Sequence, residues 1–308
     1  MSPIETRLAR AQQLPNWQLS ASAVSCLCAI LQNHTSRIPS DEVRGLLAAE
    51  AVSLKTLMQQ LMLVAQQFAT APVSDFLVGA AALGETGDIH LGANYEFEAL
   101  PLNCSVHAEQ ACLSNALLSG ETQLRSIALS AAPCGHCRQF LHEQREATSM
   151  TCVLPGNETL LLPELLPQAF GPKQLDVDTF LFEAEDNSYT LSHPPADSDL
   201  AQMSKLGLPL LPLSHAPYSQ SPAAAVVRTV DGVCHRGVYL ENAAFNPSLP
   251  AFQSALAQMQ MTNSRECGLS HALLLELEQP TISHAQTSRE AWRTLSNGVL
   301  YQAGVRIE

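Results

Sequence analysis

Four residues in two short segments could do chemistry together. His107 and Glu109 stand in Val106-His107-Ala108-Glu109-Gln110, and Cys134 and Cys137 in Pro133-Cys134-Gly135-His136-Cys137. One imidazole and two thiols make a suitable set of three zinc ligands. Three protein ligands leave a fourth tetrahedral position open for water, the arrangement of a catalytic rather than a structural zinc. Zinc lowers the pKa of that water to about 7, so hydroxide is available at neutral pH. Glu109 follows the imidazole by two residues and is placed to reach the water without binding the metal. A single carboxylate that takes a proton from water and returns it elsewhere suits a hydrolysis.

Both cysteines bind zinc only as thiolates. If Cys134 begins a helix after Pro133, the helix N-terminus stabilises both anions, and one turn sets Cys134 and Cys137 on one face. His107 starts the neighbouring helix, so one metal ties two helix starts together. Two other readings use the same residues. Taken alone, Cys134-Gly135-His136-Cys137 resembles the thiol–disulfide exchange site of protein disulfide isomerases. That reading has Pro133 where such sites carry Trp, and it leaves His107 and Glu109 idle. A structural zinc would want a fourth protein ligand. His136 is expected on the helix surface or beside the ligands, and His142 at an ordinary surface. Cys26, Cys28, Cys104, Cys112 and Cys152 are expected as small core or half-buried residues.

The elements that must position these groups follow from periodicity. Leu54, Leu57, Leu61, Val64 and Phe68 recur at spacings of three and four, predicting a helix over 53–69. Strands are expected over 76–82 and 89–93, joined as an antiparallel hairpin by the Gly84-Glu85-Thr86-Gly87-Asp88 turn. Asn94-Tyr95-Glu96 follows at the hairpin's end, where polar residues often face a ligand. A helix opens after Ser105 and closes at Gly120; a strand over 124–131, a helix over 134–144 and a strand over 151–154 follow. This alternation predicts a mixed or mostly parallel sheet flanked by helices, with both half-sites at helix N-termini. Upstream, residues 1–52 read as small packing helices, one of them capped by Ser40 with Asp41 and Glu42 in its first turn. Residues 183–200 are acidic, Ser-rich and carry Pro194-Pro195, the composition of a linker.

Charge and composition narrow the partners. At 308 residues two domains are expected, and 46% apolar content is ample for their cores. The 16 Lys+Arg against 29 Asp+Glu give −13, which argues against a nucleic-acid partner and suits a small neutral substrate. Nine cysteines without a disulfide-like rhythm, no apolar signal core after residues 1–7 and no run of ~18 apolar residues place the protein in a reducing cytoplasm, off the membrane.

The chain also repeats itself. Ala71-Pro72-x-Ser74 recurs as Ala216-Pro217-x-Ser219, and the same offset of 145 aligns Gly87 with Gly232, Gly92 with Gly237 and Glu96 with Glu241. In that register His107 meets Phe252 and Glu109 meets Ser254, and only Cys267 remains beyond. The second half is therefore expected to share the fold without the metal site.

His-x-Glu followed by Pro-Cys-x-x-Cys is the established signature of zinc-dependent nucleobase deaminases. With Leu118-Ser119-Gly120-Glu121, Arg138-Gln139-Phe140, Phe170-Gly171-Pro172-Lys173 and Glu241-Asn242-Ala243-Ala244-Phe245-Asn246-Pro247, the chain from about residue 45 onward resembles the long, two-domain bacterial cytidine deaminases. The resemblance implies a duplicated three-layer α/β/α fold with a mixed sheet: helical segment 1–52, catalytic unit 53–173, linker 174–190 and second unit 191–308. It implies hydrolysis of cytidine and 2′-deoxycytidine to uridine and 2′-deoxyuridine with release of ammonia, in pyrimidine salvage. One zinc per chain would be held by His107, Cys134 and Cys137, with Glu109 carrying protons. Phe76 would pack on the pyrimidine, and Ala108 and Pro133 would read it through backbone groups. The segment Asn94, Tyr95 and Glu96 would bind the sugar, Asn94 and Glu96 through its hydroxyl. The implied assembly is a homodimer whose silent half completes the partner's site, Phe170 contributing. Asp75 departs from the family pattern, which commonly has Asn there, and adds a negative charge near the nucleoside.

Overall fold

The computed structural model describes residues 2–34, 36–195, 197–262 and 267–308. The chain opens with α1 (Pro3–Ala11), α2 (Ala21–His34), the short strand β1 (Arg37–Ile38) and α3 (Ser40–Glu50). Ser40 is not the cap expected of it. It lies inside α3, whose N-cap is Pro39, and its backbone N–H donates to Asp88 Oδ1 at 2.7 Å. A carboxylate from a distant hairpin does the capping, which no local pattern could announce.

The first unit continues with α4 (Leu54–Gln66), β2 (Gly79–Gly84), β3 (Ile89–Ala93), α5 (Ala108–Leu118), β4 (Leu124–Leu129), α6 (Gly135–Leu141), β5 (Thr151–Val153), β6 (Thr159–Leu161) and α7 (Leu162–Leu165). Its sheet has the order β1-β3-β2-β4-β5-β6, with β4 and β5 parallel and the other neighbours antiparallel. Alternation along β2 sends Ala80 and Ala82 into one buried cluster and Ala81 into another. The face bearing Ala81, Ile89 and Leu91 packs under α4 with Leu57, Leu61 and Val64, and α5 covers the opposite face. Gly92 is required there: a Cβ on it would stand 2.2 Å from the backbone nitrogen of Cys112 in α5. The strand expected over 76–82 starts only at Gly79, because Asp75 takes φ +54° and residues 76–78 form a loop held by side chains of the site.

The second unit comprises β7 (Tyr189–Leu191), α8 (Ser198–Gly207), β8 (Ala223–Thr229), β9 (Cys234–Val238), α9 (Ala251–Gln260), β10 (Leu269–Leu277), α10 (Ala285–Leu295) and β11 (Val299–Ile307). Its sheet runs β7-β11-β10-β8-β9, with β10 and β11 parallel, the same mixed pattern as the first. The edge strand comes from elsewhere in the chain: β6 follows β5, whereas β7 precedes the rest of its unit. α5 and α9 pack against each other, joined by Ser114 Oγ and Ser254 Oγ at 2.6 Å.

The duplication is real, but its register slips. Tyr95 bridges to Val106, and its counterpart Leu240 bridges to Leu249; His107 is the N-cap of α5, and Pro250 that of α9. The second connection is two residues shorter, so the offset falls from 145 to 143. The structural counterparts of His107 and Glu109 are Pro250 and Phe252, not Phe252 and Ser254. Neither side chain can bind metal or carry a proton, and among the described residues the second unit has no counterpart of the trio.

Ser254 instead accepts from the Val238 N–H at 3.1 Å and pairs with Ser114. Ser254→Ala is expected to cost about 1–2 kcal/mol in denaturant unfolding and to leave kcat within about twofold, since no part of the site touches it. A large loss of kcat in the folded variant would contradict that placement. Among the described residues, no helix is long and apolar enough to cross a membrane.

Candidate active site

Two strand-to-helix connections bring the expected groups together. Val106 pairs with Tyr95, which sets the start of α5 beside the Asn94–Glu96 segment. His107 then caps α5, its N–H donating to Gln110 Oε1 at 3.1 Å. Cys134 caps α6 at the end of the β4 loop, and Arg138 Nε donates to the Pro133 carbonyl at 2.8 Å, holding that loop against the helix.

The three donor atoms converge. His107 Nδ1 lies 3.6 Å from Cys134 Sγ and 3.2 Å from Cys137 Sγ, and the two sulfurs are 3.5 Å apart. Tetrahedral zinc, with Zn–S near 2.3 Å and Zn–N near 2.0 Å, sets such donors about 3.5–3.8 Å apart. The residues therefore fit the metal, and Nδ1 is the imidazole atom they offer. Protonation fits too. Hydrogen bonds from Cys137 and then His107 push the Cys134 thiol down to about 3. The bond with Cys134, followed by burial, pushes Cys137 well up, and the bond with Cys134 raises His107. Cysteine binds zinc as the thiolate, so loading this set would release protons.

A second buried trio, Asp88, His90 and Glu121, also has its donors close together. Its oxygens are already committed. Asp88 holds the Ser40 N–H and Arg37, and Glu121 takes the Thr86 N–H and hydroxyl and His90 Nε2. This group ties the β2–β3 hairpin together.

Beside the first trio opens a cavity of about 220 Å³, lined among others by Phe76, Asn94, Glu96, His107, Glu109 and Cys134. Glu109 is 4% exposed, and burial raises its carboxyl above the ordinary range. Asn94 Oδ1 accepts from the Val78 N–H at 2.8 Å and Asn94 Nδ2 donates to the Phe76 carbonyl at 2.9 Å. Glu96 accepts from the Val73 and Ser74 N–H groups at 3.1 and 3.0 Å and from the Ser74 hydroxyl. Burial opposes ionisation of Glu96, but these bonds outweigh it and lower its pKa. Both side chains thus hold the loop that carries Phe76, which stands 61% exposed at the mouth. In the second unit Glu241 accepts from the Tyr218 and Ser219 N–H groups in the same way.

Of the expected substrate contacts, Phe76, Asn94, Glu96 and Ala108 line the cavity. Tyr95 does not. Alternation along the extended segment turns it into the core, edge-on to Phe97 at 5.1 Å between ring centres. Pro133 is buried behind the wall formed by Ala131, Ala132 and Cys134, its carbonyl engaged by Arg138. Phe170 lies outside the cavity, with its carbonyl accepting from Gln139.

His136 takes one of its two expected places, beside the ligands, stacked on His107 with ring centres 4.8 Å apart and planes at 19°. Two features escaped the sequence reading. Gln110 spans from the His107 N–H to the second unit, donating to the Pro247 carbonyl at 2.8 Å. Glu143, fully buried just after α6, accepts from Asn242 Nδ2 at 2.8 Å, the Ala243 N–H at 2.9 Å and the Tyr218 hydroxyl. The two helices that start at the donor trio are thus both tied to the segment 242–247.

A duplicated α/β/α unit with a His/Cys/Cys trio and an adjacent buried carboxylate is the architecture of a zinc-dependent hydrolase. Family models described as the cytidine and deoxycytidylate deaminase zinc-binding region match residues 52–153 and 162–289. A cytidine deaminase of Shewanella baltica is 39% identical over 265 residues, covering 86% of this chain and 88% of its own. One from Pectobacterium carotovorum is 36% identical over 269 residues, covering 87% and 89%. The solved cytidine deaminase of Mycobacterium tuberculosis is 29% identical over 39% of this chain and 99% of its own, with a TM-score of 0.36. This chain belongs to the cytidine and deoxycytidylate deaminase family. The second family match falls on the half without the donor trio, so what recurs there is the fold and not the metal site.

Proposed function

We propose that this chain is a zinc-dependent cytidine deaminase in which His107, Cys134 and Cys137 hold one zinc ion and Glu109 carries the protons. It hydrolyses cytidine, and 2′-deoxycytidine by the same steps, to the uracil nucleoside and ammonia. The observation that carries this reading is one cavity lined by His107 and Cys134 of the donor trio, by the buried carboxylate of Glu109, and by Phe76, Asn94 and Glu96.

Zinc, when bound, supplies a strong acidification of water, so that a nucleophile exists near neutral pH. The remaining work falls to side chains. Glu109 takes a proton from the attacking water and passes it to the ring nitrogen beside the amino-bearing carbon. A C–O bond forms at that carbon. Glu109 then delivers the second proton to the amine, the C–N bond breaks and ammonia leaves. A carboxyl whose pKa is raised by burial holds its proton more readily than an exposed glutamate, which suits both roles. Phe76 packs on the pyrimidine, and the backbone at Ala108 reads its edge; Pro133, off the cavity with its carbonyl taken by Arg138, shapes the loop instead. Asn94 and Glu96 hydrogen-bond the sugar hydroxyl.

On this reading residues 53–173 are the catalytic unit; the silent unit starts at Tyr189, where β7 enters the second sheet and not at 191 as expected, so the connection is 174–188. The enzyme works in the cytoplasm, in pyrimidine salvage, as a homodimer in which the silent unit and Phe170 complete the partner's site. The disulfide-exchange reading requires a reversible Cys134–Cys137 bond, and one tightly held zinc per chain excludes it.

Glu96 and Glu109 in a chain of charge −13 disfavour a phosphate. Absorbance assays on three substrates test this. Cytidine and 2′-deoxycytidine should both be turned over, and cytidine 5′-monophosphate at least ~10²-fold less efficiently. Equal use of the nucleotide would overturn the sugar-side assignment.

A further inference from the structure

The silent unit reaches the sugar side of the site through one side chain. Gln260 ends α9 and is fully buried. Its Nε2 donates to the carbonyls of Phe68 and Asn94, each at 2.8 Å, with the Thr70 hydroxyl at 3.3 Å. Those backbone groups are a junction. The Thr70 N–H also donates to the Asn94 carbonyl at 2.9 Å, and the Glu96 N–H to the Thr70 carbonyl at 2.8 Å. The segment that presents Asn94 and Glu96 is therefore stitched to the end of α4 through Thr70, and Gln260 binds both edges of the seam. From Asn94 the connection continues through its side chain to Phe76 and Val78.

The interaction has no mirror image. At the structural offset of 143 the counterpart of Gln260 is Leu117 in α5, an apolar residue with no amide to offer. An amide at the end of α9 is thus an asymmetric feature of a duplicated fold, and it points from the unit without chemistry to the unit with it.

We propose that Gln260 is a positioning residue for nucleoside binding: the silent unit uses it to fix the backbone from which Asn94 and Glu96 hold the Phe76 loop and meet the sugar. The proposal rests on the cytidine deaminase reading given above. Gln260 touches neither the donor trio nor Glu109, so its effect belongs in KM and not in the chemical step.

The test uses the zinc-loaded full chain and Gln260→Met, which keeps the volume and removes both N–H donors. KM for cytidine should rise roughly 5- to 30-fold, the scale of one lost buried amide contact felt at the site. The inhibition constant of uridine should rise by a similar factor, while kcat stays within about threefold and zinc at about one per chain. Gln260→Asn, which keeps the amide on a shorter arm, should recover part of the loss and carries the test if the Met variant does not fold. Amide hydrogen exchange over residues 73–78 should quicken in the variant, a readout independent of turnover. A folded variant with KM unchanged and the loop equally protected would overturn the proposal, as would a fall in kcat with loss of zinc. Wild-type protein that does not turn cytidine over would sink the functional reading instead, leaving loop protection to decide the role of Gln260.

Discussion

Glu109→Gln is expected to lower kcat on cytidine by about 10²–10⁴-fold, the scale of a general acid–base group, while the protein keeps its fold and about one zinc per chain. The carboxylate is the one group in the cavity that can both accept and donate protons beside the trio without being part of it. The amide has the same shape and fills the same buried space, so packing around α5 is preserved. What it loses is the capacity to take a proton from water and release it to the ring nitrogen and amine. Zinc analysis and steady-state kinetics on the same preparation separate the two functions. Turnover within about tenfold of wild type would remove Glu109 from the mechanism, and loss of zinc would make it part of the metal site.

Cys137→Ala is expected to abolish both zinc binding and activity. Cys137 is fully buried and supplies one of the three donors, its sulfur 3.2 Å from His107 Nδ1. With it gone two donors remain, fewer than a catalytic zinc site uses. Bound zinc should fall below about 0.1 per chain and turnover by more than ~10³-fold, because the nucleophile depends on the metal. Cys152→Ala is the matched control: Cys152 is equally buried but sits in β5, apart from the trio. That variant should lose some stability to the small cavity and keep its zinc. A Cys137 variant with full zinc and activity would contradict the ligand assignment.

The chemistry was legible because it is local. His107 and Glu109 share one helix start, Cys134 and Cys137 another, and the residues around them announce loop-to-helix transitions. The hairpin of β2 and β3 was equally clear from Gly87, which takes φ +87° in the turn, as Gly232 takes +88° in the repeat. Other features were not local. A gapless offset misassigned Phe252 and Ser254 because it could not see that the second connection is two residues shorter. Tyr95 looked like part of a binding segment until alternation turned it into the core. Ser40 looked like a cap until Asp88 took that role. Gln110, Glu143 and Gln260 each reach a partner more than 90 residues away in sequence, where periodicity and motif carry no signal. The imidazole atom that His107 turns toward the two sulfurs, Nδ1, is likewise set by how two helix starts face each other.

These long-range contacts give the duplication a physical role. A second unit with no counterpart of the donor trio among its described residues still bonds to the elements carrying the site, through Gln110, Gln139 and the Asn94 carbonyl.

The most direct test of the central claim is ammonia release from cytidine by protein carrying one zinc per chain. The account predicts one ammonia and one uridine per cytidine consumed, lost when a chelator strips the metal and restored when zinc is returned. Folded protein holding its full zinc and releasing no ammonia from cytidine would contradict it.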